Sequence, residues 1–108
     1  MTDETNPKTQ PDKPMNEPVE IPATFPSLIM ELSLGAQYNL GYDFQNDKQD
    51  PEKINLVMAK HYIDYLIMLK EKTKGNLSVE EGNLLSHQLT QLELEYVRVS
   101  NQKKVEKA

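Results

Sequence analysis

The sequence predicts an all-α protein: a helical hairpin of two long helices, with one shorter N-terminal helix, packed as an oligomeric bundle. Three observations predict it. Apolar side chains recur at steps of three and four in three separate stretches, the pattern of helices with buried faces. Residues 61–81 spell the end of one helix, a tight connection and the beginning of the next. Taken together, the three stretches hold more apolar surface than a single core of about 75 residues can cover, a size at which one core is marginal.

The N-terminal helix starts at Thr24 and Pro26, because a threonine hydroxyl caps a helix and the fixed φ of proline suits its first turn. Phe25, Leu28, Ile29, Leu32, Ala36 and Leu40 then follow at helical spacing, and Met30, Leu34 and Tyr38 form a second line on a neighbouring face. The helix is apolar over a wide arc, and Gly41 stops it. Gly35 in its interior costs about 1 kcal/mol against alanine. Beside Ser33 and Ala36, it permits the close approach of another helix. Residues 42–50 read as a polar connection whose acidic run is solvated. Asp50 with Pro51, and Asn55 with Leu56, compete to open the second helix; Asn55 is favoured, with residues 51–54 as a separate turn.

The second helix runs to about residue 73. Met58, Tyr62, Tyr65, Leu66 and Leu69 lie on one stripe, and Leu56, Val57, Ile63 and Ile67 widen it. Lys70, Lys72 and Lys74 put positive charge at the carbonyl end of the helix dipole, and Gly75 takes the left-handed conformation that closes the helix. Ser78, with Glu81 three residues on, is a capping box for the third helix. From residue 79 to about 103, Leu85, Leu89, Leu92, Tyr96 and Val99 alternate steps of four and three, a seam of coiled-coil type. Leu84, Leu94 and Val97 lie outside the seam.

Both ends differ from this helical domain, assigned to residues 24–102. Five of the seven prolines fall at or before Pro22, among Thr, Asn, Asp, Glu and Lys. Such a segment buries too little apolar surface to offset its ordering entropy, so residues 1–23 are expected to be a disordered tail. Residues 103–108 are expected to be a disordered basic tail.

Charge and composition exclude several function classes. The net charge is −5, with 12 basic against 17 acidic residues. Lys70, Lys72 and Lys74 lie on the order of 35 Å from Lys103, Lys104 and Lys107 at 1.5 Å per helical residue, so the lysines form no single patch. Without a basic strand interleaved with aromatics or a basic recognition helix, no nucleic-acid partner is expected. No window approaches the roughly 20 apolar residues of a membrane span, and no secretory signal is present, so a cytoplasmic location is expected. The absence of cysteine removes disulfides, thiol catalysis and thiolate metal sites.

Ile63-Asp64, Met68-Leu69, the run Glu71-Lys72-Thr73-Lys74-Gly75-Asn76-Leu77-Ser78, Glu80-Glu81, Leu92 and Tyr96-Val97 resemble the bacterial domain of unknown function 1844 family. The resemblance extends from Phe25 to about Val97, with Ser33-Leu34 and Leu40-Gly41 in the first helix. It implies a small cytoplasmic bacterial protein and supplies no activity. Three departures stand out: a longer proline-rich tail, Gly82 in place of a helix-favouring polar residue, and no arginine among residues 93–95.

The candidate chemistry is sparse. His61 and Asp64 share a helical face, and His87 lies at a similar height on the third helix. The Glu-x-x-His pattern of bundle metal sites is missing, so no metal site and no cofactor are assigned. His61 and His87 read as boundary residues, with Asp64 accepting from a tyrosine or a backbone terminus. A helical enzyme for a dianionic substrate needs converging guanidinium and ammonium groups, and Arg98 is the single arginine. Ser78 is occupied as a cap and Ser86 adjoins His87, so no nucleophile is assigned. Tyr38, Tyr42, Tyr62, Tyr65 and Tyr96 read as core or interface residues; a ligand pocket among Met58, Tyr62, Tyr65 and Met68 is the rival. No catalytic residue is assigned. The expected function is protein contact and homo-oligomerisation, with the alternative a small-molecule or metal-binding bundle. The site most open to an unidentified protein partner is the hairpin tip: Lys70, Lys72, Thr73, Lys74, Asn76 and Leu77.

Overall fold

The computed structural model describes residues 20–107, so most of the tail expected to be disordered lies outside the described residues. Residues 20–23 are exposed and without regular structure. Three helices follow: α1 (Phe25–Asn39), α2 (Leu56–Lys72) and α3 (Val79–Lys107). Two short strands, β1 (Tyr42–Asp43) and β2 (Lys48–Gln49), pair antiparallel between α1 and α2, and a single 3-10 turn at Pro51–Lys53 leads into α2.

Local chemistry sets the helix boundaries. Thr24 and Ser27 cap the start of α1 reciprocally, each side-chain oxygen accepting from the other's backbone N–H at 3.2 Å. Gly41, at φ +100°, turns the chain after α1. Asn55 opens α2, its side chain accepting from the Met58 N–H at 3.1 Å, while Asp50 caps the separate 3-10 turn. Both helix starts agree with the expectation from the sequence.

α1 and α2 run antiparallel. The Asn55 N–H donates to the Asn39 carbonyl at 2.7 Å at one end, and Leu28 and Leu32 meet Tyr65, Met68 and Leu69 at the other. Midway, the Tyr62 ring lies on the α1 backbone at Gly35, where an added Cβ would come within 2.6–2.9 Å of three ring carbons. The glycine thus permits the close approach that its position in the sequence implied. Ser33, buried in the same stretch, donates its hydroxyl to the Ile29 carbonyl at 2.8 Å. α3 covers the pair on one side. The core joins Ile29, Ala36 and Leu40 of the α1 segment to Ala59, Ile63 and Leu66 of α2 and to Leu85, Leu89, Leu92 and Val99 of α3. Tyr96 is partly buried against the core, so the predicted α3 seam is the packed face.

The structure corrects four readings. The connection at 42–50 is a small hairpin, and its acidic run is not all solvated: Asp43 is buried. In α2 the innermost residues are Ala59, Ile63 and Leu66, while Met58 and Tyr65, placed on the main stripe by periodicity, stay well exposed with Ile67 and Val57. Leu28 of α1 is displaced outward in the same way. α3 continues to Lys107, past the expected end near Lys103 and into the stretch expected to be a disordered tail. Residues 100–107 contain neither glycine nor proline, and nothing in their backbone chemistry stops the helix.

Candidate functional site

The hairpin tip is built by side chains that satisfy backbone groups at two helix ends. The Thr73 hydroxyl donates to the Leu69 carbonyl at 2.7 Å, and the Thr73 N–H reaches the same oxygen at 2.9 Å. Gly75 sits at φ +83°, and the Asn76 N–H donates to the Thr73 carbonyl at 2.9 Å. Ser78 and Glu81 then cap α3: the Glu81 N–H donates to the Ser78 hydroxyl at 3.1 Å, and the Ser78 N–H to the Glu81 carboxylate at 2.9 Å. Leu77 packs against the core. Turn chemistry therefore accounts for Thr73, and packing accounts for Leu77.

The six tip residues separate into two groups. Lys70, Thr73, Lys74 and Leu77 line one cleft of about 380 Å³ with residues from the first two turns of α3, among them Gly82, Asn83 and Ser86. Lys72 and Asn76, both exposed, lie outside it.

A second surface lies between α1 and α2 and includes Tyr65 and Met68 of the rival ligand pocket. Its groove, about 290 Å³, is lined by Leu28, Leu32, Tyr65, Met68 and Leu69, all apolar or aromatic. Tyr62 and Met58 do not line it. The His61 ring lies beside that of Tyr65, centroids 4.4 Å apart and planes tilted by 58°. On α1, Met30, Leu34 and Tyr38 recur every four residues and are 40–51 % exposed. Among the 15 residues of α1, only Glu31 carries a charge.

A third recess, about 470 Å³, opens between the end of α1, the β-hairpin and α3, with Gln37, Tyr42, Phe44 and Gln91 in its lining. Asp43 organises this hairpin. Its carboxylate accepts from the Gln45 N–H at 3.0 Å and the Asn46 side-chain amide at 2.8 Å, and Lys53 approaches at 3.7 Å. The Asn46 amide does most to hold the Asp43 carboxyl below its ordinary range; burial opposes it, and the Asn46 N–H, Lys53 and the Gln45 N–H add to it. The Tyr42 hydroxyl donates to Asp47, which takes φ 52°, and the Tyr42 and Phe44 rings meet edge to face at 4.6 Å.

The residues considered for chemistry are dispersed. Asp64 accepts from Lys60 at 2.9 Å, one helical turn away, instead of from a tyrosine or a backbone terminus, and this pairing raises the Lys60 pKa. Arg98 pairs with Glu95 on its own helix, and that contact raises its pKa. His61 and His87 are exposed. Among the described residues, no three His, Asp or Glu side chains gather where they could hold a metal ion. Among the described residues, no helix is long and apolar enough to cross a membrane.

Among the described residues the fold is a three-helix unit with exposed apolar side chains along α1 and a lysine-lined cleft at the α2–α3 turn. The chain belongs to the family described as domain of unknown function (DUF1844), whose model matches residues 22–98. The match covers the three-helix unit up to Arg98 and includes the whole tip. No curated protein and no solved structure matches the chain.

Proposed function

We propose that this chain is a non-catalytic bacterial protein of the cytoplasm that works through protein contact, and that it associates with copies of itself through the outer surface of α1 and α2. The observation that carries the proposal is the composition of α1. A helix apolar all round is a buried helix, yet among the described residues α1 packs against α2, α3 and the adjoining strand β1, which leaves one side open. Its remaining side presents Met30, Leu34 and Tyr38 to solvent, and elsewhere on the helix Leu28 lines an apolar groove with Tyr65 and Met68 of α2.

Magnitudes support closure by a second copy. Complete burial of one such side chain contributes about 1.5–3 kcal/mol. Leu28, Met30, Leu34, Tyr38, Met58, Tyr65 and Met68 are each 37–51 % exposed. Covering the remainder on two subunits contributes on the order of 10 kcal/mol at that rate, comparable with the cost of association, about 4–15 kcal/mol. A face with Glu31 as its one α1 charge also gives two identical copies little electrostatic reason to repel each other. The bacterial and cytoplasmic setting rests on the family resemblance. Sedimentation velocity of the full chain at micromolar concentration tests the proposal: a dimer or higher oligomer supports it, and a stable monomer refutes it. Native mass spectrometry of the same sample addresses the rival small-molecule or metal-binding bundle, which requires a retained mass.

A further inference from the structure

We infer that the cleft at the α2–α3 turn is a docking site for an acidic segment of a partner protein, one in which a carboxylate side chain adjoins an apolar one. Six charged residues crowd this end of the molecule: Lys70, Glu71, Lys72, Lys74, Glu80 and Glu81. Only Lys70 and Lys74 line the cleft. Neither forms an ion pair with a described residue. The acidic side chains stay outside the cleft, and Glu81 is held by the Ser78 N–H. The cleft is therefore cationic although the surrounding end is nearly neutral.

Its other groups suit the same occupant. Asn83 and Ser86 supply polar side chains one and two turns into α3, while Leu77, Val79 and Leu85 supply apolar surface. Val79 is 77 % exposed, so the apolar surface reaches the rim, where a protein segment can continue it. Gly82 keeps the space open: a Cβ there would meet nothing within 4 Å. Neither packing nor a positive φ requires glycine at this helical position, where it costs about 1 kcal/mol against alanine. A nucleic acid fits poorly, because its continuous row of phosphates would lie across Glu71, Glu80 and Glu81 as well as the two lysines.

This inference rests on the protein-contact reading but not on self-association, since the cleft and the α1 surface share no residue. The test is a titration of the ¹⁵N-labelled full chain with the peptide Asp-Glu-Leu-Asp-Glu, its lysine-for-acid counterpart, and a short single-stranded oligothymidine. The acidic peptide is expected to shift amide resonances of residues 70–86 selectively, with weaker binding as salt is raised. Lys70→Glu with Lys74→Glu should weaken it at least tenfold. Gly82→Leu, whose Cβ meets nothing within 4 Å and whose side chain occupies cleft space, should weaken it strongly while the helical circular dichroism is kept. The absence of selective shifts, equal shifts with the lysine peptide, or stronger shifts with oligothymidine would overturn the inference. Sedimentation of the lysine variant separates the two surfaces: an unchanged oligomeric state locates any loss of binding at the cleft.

Discussion

α1 and α3 each bury one face in the same core, but they treat the opposite face differently. α3 spreads nine charged residues over its 29 positions, and its exposed Leu94 and Val97 stand among Glu93, Glu95 and Arg98. α1 has Glu31 alone among 15, and its exposed Met30, Leu34 and Tyr38 form an uninterrupted line. Scattered apolar residues on a charged face are ordinary protein surface; a line of them on a helix with a single charge is the kind of surface that association covers. The comparison separates exposure from availability. Leu94 is more exposed than Leu34, yet Leu34 belongs to the surface proposed to be covered by a second copy.

The contrast can be broken most severely from the inside of α3. Leu89→Asp with Leu92→Asp puts two carboxylates into positions 6 % and 2 % exposed. Such a change should cost more than about 4 kcal/mol and abolish the cooperative thermal transition. A folded, soluble variant would contradict the assignment of α3's packed face. Closer to the shared surface, Gly35→Ala sets a helix-propensity gain of about 1 kcal/mol against overpacking on Tyr62, worth about 1–3 kcal/mol. A net loss near 1 kcal/mol in urea denaturation is expected. Tyr62→Leu in the same chain should recover part of it, a coupling that a distant pair would not show. Asn55→Ala removes the α2 cap and should cost about 1 kcal/mol, without any change in oligomeric state.

The smallest effect belongs to Asp43. Its folded-state pKa is lowered, chiefly by the Asn46 side chain, so the stability it contributes is present above the ordinary carboxylate range, near 3.9. That contribution is lost as the pH falls through the lowered value. NMR titration should show the Gln45 and Asn46 amides moving together below the usual aspartate midpoint. Asp43→Asn should flatten the response.

Much of this architecture was legible because it is written locally. Caps at Thr24, Asn55 and Ser78 and the turn at Gly75 depend on residues within four of each other, and the α3 seam follows from periodicity alone. The β-hairpin was not legible as one, since it depends on a carboxylate turning inward. Asp43 bonds groups two and three residues on, and Asp47 adopts a left-handed φ that aspartate tolerates better than most residues. The Asn46-Asp47 pair was the available signal. In α2, periodicity alone could not say which part of a wide apolar arc faces inward; the small, fully buried Ala59 marks it. The tip was half legible. Lys70, Thr73, Lys74 and Leu77 were found in one run, whereas Gly82 and Ser86, one and two turns beyond Ser78, join them only once α3 is placed beside α2.

The central claim is that the outer surface of α1 is covered by a second copy and the outer surface of α3 is not. Sedimentation equilibrium on two matched variants of the full chain, Leu34→Glu with Tyr38→Glu and Leu94→Glu with Val97→Glu, tests it directly. Both pairs are well exposed, so both variants should keep their helical circular dichroism. The α1 pair should sediment as a monomer and the α3 pair with the oligomeric mass of the native chain. Equal masses for the two variants would contradict the account.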